Sequence, residues 1–220
     1  MRTILLALLT TLTIMSTAGA VDSSESESLA RAIHRYKTGH RGQIRWNECG
    51  SRLSSGDTLI RSAQYAELLL SHRDSDPAFD PWLAAAIIAQ ESSFDRCAIS
   101  RPDMAKITDF YISTRRRVPR EQDIVAMLGS SSLRRRAGVT AMDVGLSQFR
   151  WPGSIPRSQG VDPTDLVKAE VSVELLAYSL SQYRDSCEGP VRGVYETTRG
   201  RLVRYNLQCS EYYWVSHNTG

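Results

Sequence analysis

PWLAAAIIAQESSFD, residues 81–95, runs ten residues without a charge and then delivers a glutamate, Glu91. Asp80 before Pro81 predicts an N-cap followed by proline at the first helical position. The helix it starts extends to about Ser92 and is apolar on all sides, which reads as the buried central helix of a domain. A carboxylate at the end of such a helix meets two influences. The helix dipole concentrates partial negative charge there, and an apolar setting disfavours the ionised form; both act to raise the pKa of Glu91. The plain alternative is that Glu91 marks the point where the helix reaches water.

Upstream, residues 58–72 carry apolar side chains at helical intervals and predict an amphipathic helix, which RDSDPAFD (73–80) breaks. Residues 29–53 begin with helical spacing and then lose it. VDSSESES (21–28) is polar and of low complexity and reads as a flexible leader. Downstream, residues 102–117 and 119–128 each predict a helix started by a proline. Val167, Val171, Leu175, Leu176 and Leu180 give a long amphipathic helix over residues 162–186, with Asp162-Pro163 as its start. The tail reads as a helix and then an aromatic-rich segment. No strand alternation or internal repeat stands out, so the fold class is mainly α.

Composition narrows the setting. The chain has 220 residues, is 41% hydrophobic and 23% charged, and carries a net charge of +3. That is one domain with some extra, and too little positive charge to argue for nucleic acid as a partner. Residues 101–140 hold nine basic and four acidic side chains, with arginine runs at 115–117 and 134–136. The charge is therefore segregated: a solvated pair of helices with arginine-rich ends, or a basic lip beside a cleft.

Residues 1–20 combine an early Arg2, an apolar run and small residues ending Ala18-Gly19-Ala20. They predict a secretory signal peptide cut before Val21, and no later stretch is long enough to span a bilayer. The expectation is a periplasmic or secreted protein with no integral membrane segment. All four cysteines, Cys49, Cys97, Cys187 and Cys209, lie beyond residue 20, which suggests two disulfides. Sequence leaves three pairings open; we favour Cys49 with Cys97, and Cys187 with Cys209 as a local clip. The scattered histidines and the lack of CxxC spacing predict no metal site, and no cofactor motif is present. A GxSxG elbow, a P-loop, GxGxxG and HExxH are all missing from the sequence.

Glu91 and its surroundings resemble the soluble lytic transglycosylases, a lysozyme-like family that cuts peptidoglycan. The shared features are AIIAQESSFD (86–95) with Glu91, AIS (98–100) with Ser100, DVGLSQFRWP (143–152) with Gln148, and the long helix after them. VYETTRG (194–200), with Tyr195, stands where the family has a Tyr-Asn-Ala-Gly-like stretch. The resemblance spans about residues 58–200. It implies a lysozyme-like catalytic domain over 57–220, after a signal peptide (1–20) and a polar N-terminal extension (21–56). Residues 101–140 are then an inserted basic helical segment.

The resemblance also implies roles. Glu91 would be the general acid and then the general base, a use that suits a carboxylic acid held protonated. Ser100 and Gln148 would hydrogen-bond the N-acetylated sugar, and Tyr195 would steady Glu91 or the substrate from the opposite wall. The partner would be the peptidoglycan glycan strand, cut with formation of 1,6-anhydro-muramic acid ends and without a second carboxylate. Ser147 replaces the family's methionine. Asp95 and Asp143 are the nearest spare acids, and a cleft-facing Asp143 would make the chain a hydrolytic muramidase instead. An inactive glycan-binding or scaffold protein is the alternative outside enzymes. The 101–140 insertion would form a lid or side wall of the glycan groove, or dock a protein partner.

Overall fold

The computed structural model describes residues 23–38, 47–186, 191–196 and 202–207. It is mainly helical. In chain order the elements are α1 (Ser23–Thr38), β1 (Asn47–Glu48), β2 (Ser51–Arg52), α2 (Ser55–Ser75), α3 (Pro81–Ser92), α4 (Arg101–Arg115), α5 (Glu121–Gly129) and α6 (Ser131–Arg136). They continue with β3 (Met142–Val144), β4 (Phe149–Trp151), α7 (Ser154–Ser158), a 3-10 turn (Asp165–Val167), α8 (Ala169–Ser186), β5 (Val191–Glu196) and β6 (Leu202–Leu207). Among the described residues the strands pair as two-stranded antiparallel ribbons, β1 with β2, β3 with β4 and β5 with β6. No helix among the described residues is long and apolar enough to cross a membrane.

α2 and α3 start where their side chains dictate. Ser54 and Asp57 form a reciprocal capping box on α2, each side chain accepting the other's backbone N–H. On α3 the Asp80 carboxylate accepts from the backbone of Trp82 (2.8 Å) and Leu83 (3.1 Å), ahead of Pro81. These caps supply partners for amides that no helical carbonyl can reach. The bounds of α3 match those expected from sequence, but its burial does not. Trp82, Ala86 and Gln90, spaced four apart, form an exposed stripe. Ala84, Ile87 and Ile88 are buried on the opposite side, and Glu91 continues that face.

α1 corrects the expected flexible leader. Its first turns are the serine- and glutamate-rich residues from Ser23, and Leu29 and Ile33 enter the core. α1 lies antiparallel to α2, with Arg73 near the end of α2 bonded to Glu25 near the start of α1 at 2.6 Å. Two other expectations change. α8 starts at Ala169, not at Asp162-Pro163, because Asp165–Val167 forms a 3-10 turn first. The tail expected to be helical holds the β5–β6 hairpin, with Tyr195 paired across to Val203.

Residues 101–140 belong to the body of the fold. Ile107, Tyr111, Ile124, Met127, Leu128 and Val139 are buried in the same core cluster as Leu69, Ile88 and Leu176. α4 and α5 are joined by Tyr111, whose hydroxyl donates to the carbonyl of Asp123 (3.2 Å). Burial of this kind contributes about 1.5–3 kcal/mol per large apolar side chain. A segment with six such residues in the core is structural.

Candidate active site

Glu91 is the second-last residue of α3, and the chain reverses abruptly just beyond it. Ser93 (φ 53) and Phe94 (φ 58) are consecutive non-glycine residues in left-handed backbone, a conformation costing about 1–2 kcal/mol each. The Phe94 ring offsets that cost. It is 1% exposed and packs against Tyr65 (5.5 Å between centroids) and Tyr36 (6.2 Å, edge-on). Ser93 N–H to the Ala89 carbonyl (3.1 Å) and Asp95 N–H to the Ser92 carbonyl (3.0 Å) complete the turn. Glu91 is left half-buried, with its Oε1 atom fully buried.

The reversal leads into a disulfide. Cys97 bonds Cys49, in the β1–β2 turn. One Asp95 oxygen, Oδ1, accepts the backbone N–H of both cysteines, at 2.9 and 3.0 Å. Burial raises the Asp95 pKa, and these two amides oppose the rise. Asp95 is thereby a brace for the disulfide. Cys49, Asp95 and Cys97 offer ligand atoms within 4.8 Å of one another, but both sulfurs are committed to the bridge and supply no thiolate. The Cys187–Cys209 pairing lies outside the described residues.

Residues 98–100 then run as a strand-like segment against β3. Ile99 bridges Val144, and Ser100 N–H donates to the Asp143 carbonyl at 3.1 Å. The carbonyl of Ala98 takes two donors from the loop beyond β3: Gly145 N–H (3.0 Å) and Gln148 Nε2 (3.0 Å). Gln148 Nε2 also donates to the Gly145 carbonyl at 2.8 Å. The Glu91 block and the Gly-Leu-Ser-Gln block are thus joined by direct hydrogen bonds.

Gly145 is required there. Its φ is +85, and a Cβ would sit 2.2 Å from the Leu166 carbonyl and 2.6 Å from Ser172 Oγ. Ser172 on α8 holds the loop in turn, accepting from Leu146 N–H (3.3 Å) and donating to the Leu166 carbonyl (2.8 Å). Ser147 is 1% exposed and faces the Ser172 carbonyl (3.4 Å). Ser147 is therefore an interior residue of the loop.

The other expected site residues separate. Ser100 is the N-cap residue of α4, and its hydroxyl donates to Asp103 Oδ2 at 2.7 Å. Asp143 pairs with Arg150, its cross-strand neighbour, at 3.2 Å. Tyr195 lies on β5, and its side chain is outside the described residues. An open cleft of about 750 Å³ lies between the turn at Cys49, Gly50 and Ser51 and the face of α5 that carries Glu121, Gln122 and Val125. Glu91, Ser100 and Gln148 do not line it.

Sequence reading missed a buried charge cluster beside the disulfide. Glu48, 4% exposed, accepts from the Tyr65 hydroxyl (3.0 Å) and pairs with Arg61 (2.9 Å) and Arg96 (3.3 Å). Arg96 continues to Glu121 on α5 at 2.6 Å and to the Val167 carbonyl at 3.2 Å. The available signal was the dipeptide Glu48-Cys49, a charge beside a bridged cysteine. Tyr36 and Lys37 at the end of α1 were missed too, since they fall in the N-terminal extension.

No protein-family model, curated protein or solved structure matched this chain.

Proposed function

We propose that the chain is an exported peptidoglycan lytic transglycosylase with Glu91 as its single acid–base residue. The observation that carries the reading is the Ala98 carbonyl, which accepts from both Gly145 and Gln148. Two sequence blocks that share a site in the family are thereby hydrogen-bonded neighbours in this fold. Glu91 sits on the core-facing side of a capped helix, with a buried carboxyl oxygen. Such a mount fixes the direction of proton transfer.

Protonated Glu91 gives its proton to the oxygen between N-acetylmuramic acid and N-acetylglucosamine as the C1–O bond breaks. The resulting carboxylate then takes the proton of the muramic C6 hydroxyl while that oxygen closes on C1. The product is a 1,6-anhydro ring, no water is consumed, and Glu91 ends protonated. Gln148 commits both Nε2 hydrogens to the carbonyls of Ala98 and Gly145, so it meets the sugar as an acceptor, through Oε1. Ser100, with its hydroxyl hydrogen on Asp103, likewise offers only an acceptor. The two spare acids have other work: Asp95 braces the disulfide and Asp143 pairs with Arg150. That supports lyase over hydrolase chemistry, which needs a second carboxylate beside the scissile bond.

Residues 1–20 would direct export, and the cysteine usage suits an oxidising periplasmic or extracellular setting. The test is digestion of purified sacculi by the wild type and Glu91→Gln, with products resolved by mass spectrometry. Anhydro ends, lighter by one water than hydrolysed ends and lost in the variant, are the expected result. Reducing ends would make the chain a muramidase. Binding without turnover would move it to the glycan-binding class.

A further inference from the structure

The end of α3 is gripped from a second direction. Tyr36, near the end of α1, donates its hydroxyl to the Ala89 carbonyl at 2.7 Å and lies 3.2 Å from Ser93 Oγ. Its neighbour Lys37 donates Nζ to the Ser93 carbonyl. Ala89 and Ser93 bracket Glu91, two residues to either side. Two consecutive side chains, reaching across more than fifty residues of sequence, thus converge on the turn that aims the carboxyl.

Lys37 is also 9% exposed, an unusual place for an ammonium. A helix C-terminus, with partial negative charge on its last carbonyls, favours a cation there. Desolvation works the other way and is larger: it lowers the Lys37 pKa to about 8, with Asp95 and Glu48 acting to raise it. The charged and titratable groups around this corner are Glu91 on α3, Asp95 and Arg96 just after it, Glu48 on β1, Arg61 and Tyr65 on α2, and Tyr36 on α1. A fold that keeps a costly cation at the foot of its proposed proton donor has put stability second there.

We propose that Tyr36 and Lys37 are positioning residues for Glu91, and that the charged Lys37 ammonium keeps the reversal at Ser93 and Phe94 in its active form. The inference rests on Glu91 being the proton donor. It sets activity against stability. The folded Lys37 releases its proton near pH 8, whereas the unfolded side chain holds it to about 10.5. Between those values the unfolded chain binds more protons, so the Lys37 contribution makes the fold more stable as pH rises. Activity runs the opposite way, falling as the ammonium is lost. A lysine that served the fold alone would leave the activity profile untouched by its own titration.

The experiment compares wild type, Lys37→Met, Lys37→Arg and Tyr36→Phe from pH 6 to 10, following sacculus turnover, thermal stability and amide exchange of residues 89–95. Lys37→Met should lose about tenfold in kcat with KM nearly unchanged, the scale of a slightly misplaced catalytic group. Lys37→Arg should recover most of it. Above pH 8 the wild-type rate should fall with pH more steeply than that of Lys37→Arg, by one further power of proton concentration, the proton that Lys37 loses. Tyr36→Phe should show a smaller loss in kcat. Amide protection at pH 7 should fall about tenfold in Lys37→Met, from local opening at the helix end. Full activity or unchanged protection in Lys37→Met would overturn the inference. If the wild type cuts no sacculi, the transglycosylase reading fails, and amide exchange still decides whether the grip exists.

Discussion

α3 and the segment α4–α6 both feed the core, but they are held in different ways. α3 relies on its own composition: an N-cap, a proline and a run of alanine and isoleucine that leaves one exposed stripe. The α4–α6 segment relies on its charges. Arg117 forks onto Asp123 (2.9 Å from Nη2) and lies 5.9 Å from the Tyr111 ring. Arg136 lies 5.4 Å from the Phe110 ring, and Arg134 donates to the carbonyls of Met127 and Leu128, closing the end of α5. Several arginines that looked like a basic lip are fasteners between helices. In the two arginine runs Arg115, Arg116, Arg135 and Arg136 are exposed, and Arg136 spends part of its surface on the Phe110 ring. Charge in a sequence therefore reports a ligand surface only after its internal uses are subtracted.

Substitutions can break this contrast, the largest at Glu91. Glu91→Gln should lower sacculus turnover by about 10³-fold, within the range for a lost acid–base group, with the thermal midpoint unchanged. Met127→Ala in α5 should cost about 2–5 kcal/mol in denaturant unfolding; a near-zero value would make the α4–α6 segment separable from the core. Gly145→Ala should cost about 1–3 kcal/mol from its backbone conformation alone, and more from the contact with Leu166. It should also slow turnover, because Gly145 and Gln148 share the Ala98 carbonyl.

Asp123→Asn sharpens the comparison at smaller scale. Its hydrogen-bonded partner Arg117 holds the Asp123 carboxyl below the usual range. A depressed carboxyl contributes stability above its unfolded pKa and loses it as pH falls through the folded one. The variant should therefore be about 1 kcal/mol less stable at neutral pH, and the gap should close in acid. Arg115→Gln and Arg135→Gln, on the surface, should stay within about 0.5 kcal/mol of wild type.

How far the fold was legible tracks the same division. α3 was readable to the residue because both ends announce themselves chemically, Asp80-Pro81 at the start and a serine pair at the reversal. α4 and α5 came within a few residues because prolines mark their starts. The start of α1 was not readable: serine and glutamate are as common in a solvated helix face as in a tail, and only Leu29 and Ile33 betray the buried side. β3 and β4 are three residues each, too short to show alternation. At the site, sequence named Glu91 and Gln148 but not the shared carbonyl of Ala98, since a backbone acceptor has no letter of its own. Lys37 was invisible because nothing local explains burying it; its partners are Ser93, Asp95 and Glu48.

The Cys49–Cys97 bridge closes a covalent ring of some fifty residues around α2 and α3, with Glu91 inside it. A protease that nicked the connection DPAFD (76–80) would therefore release no fragment. α2 would stay tethered through Cys49 and α3 through Cys97. Mass would rise by one water on cleavage, yet the two pieces would part on a gel only after reduction. For this chain, a single band under oxidising conditions and an intact backbone are separate measurements.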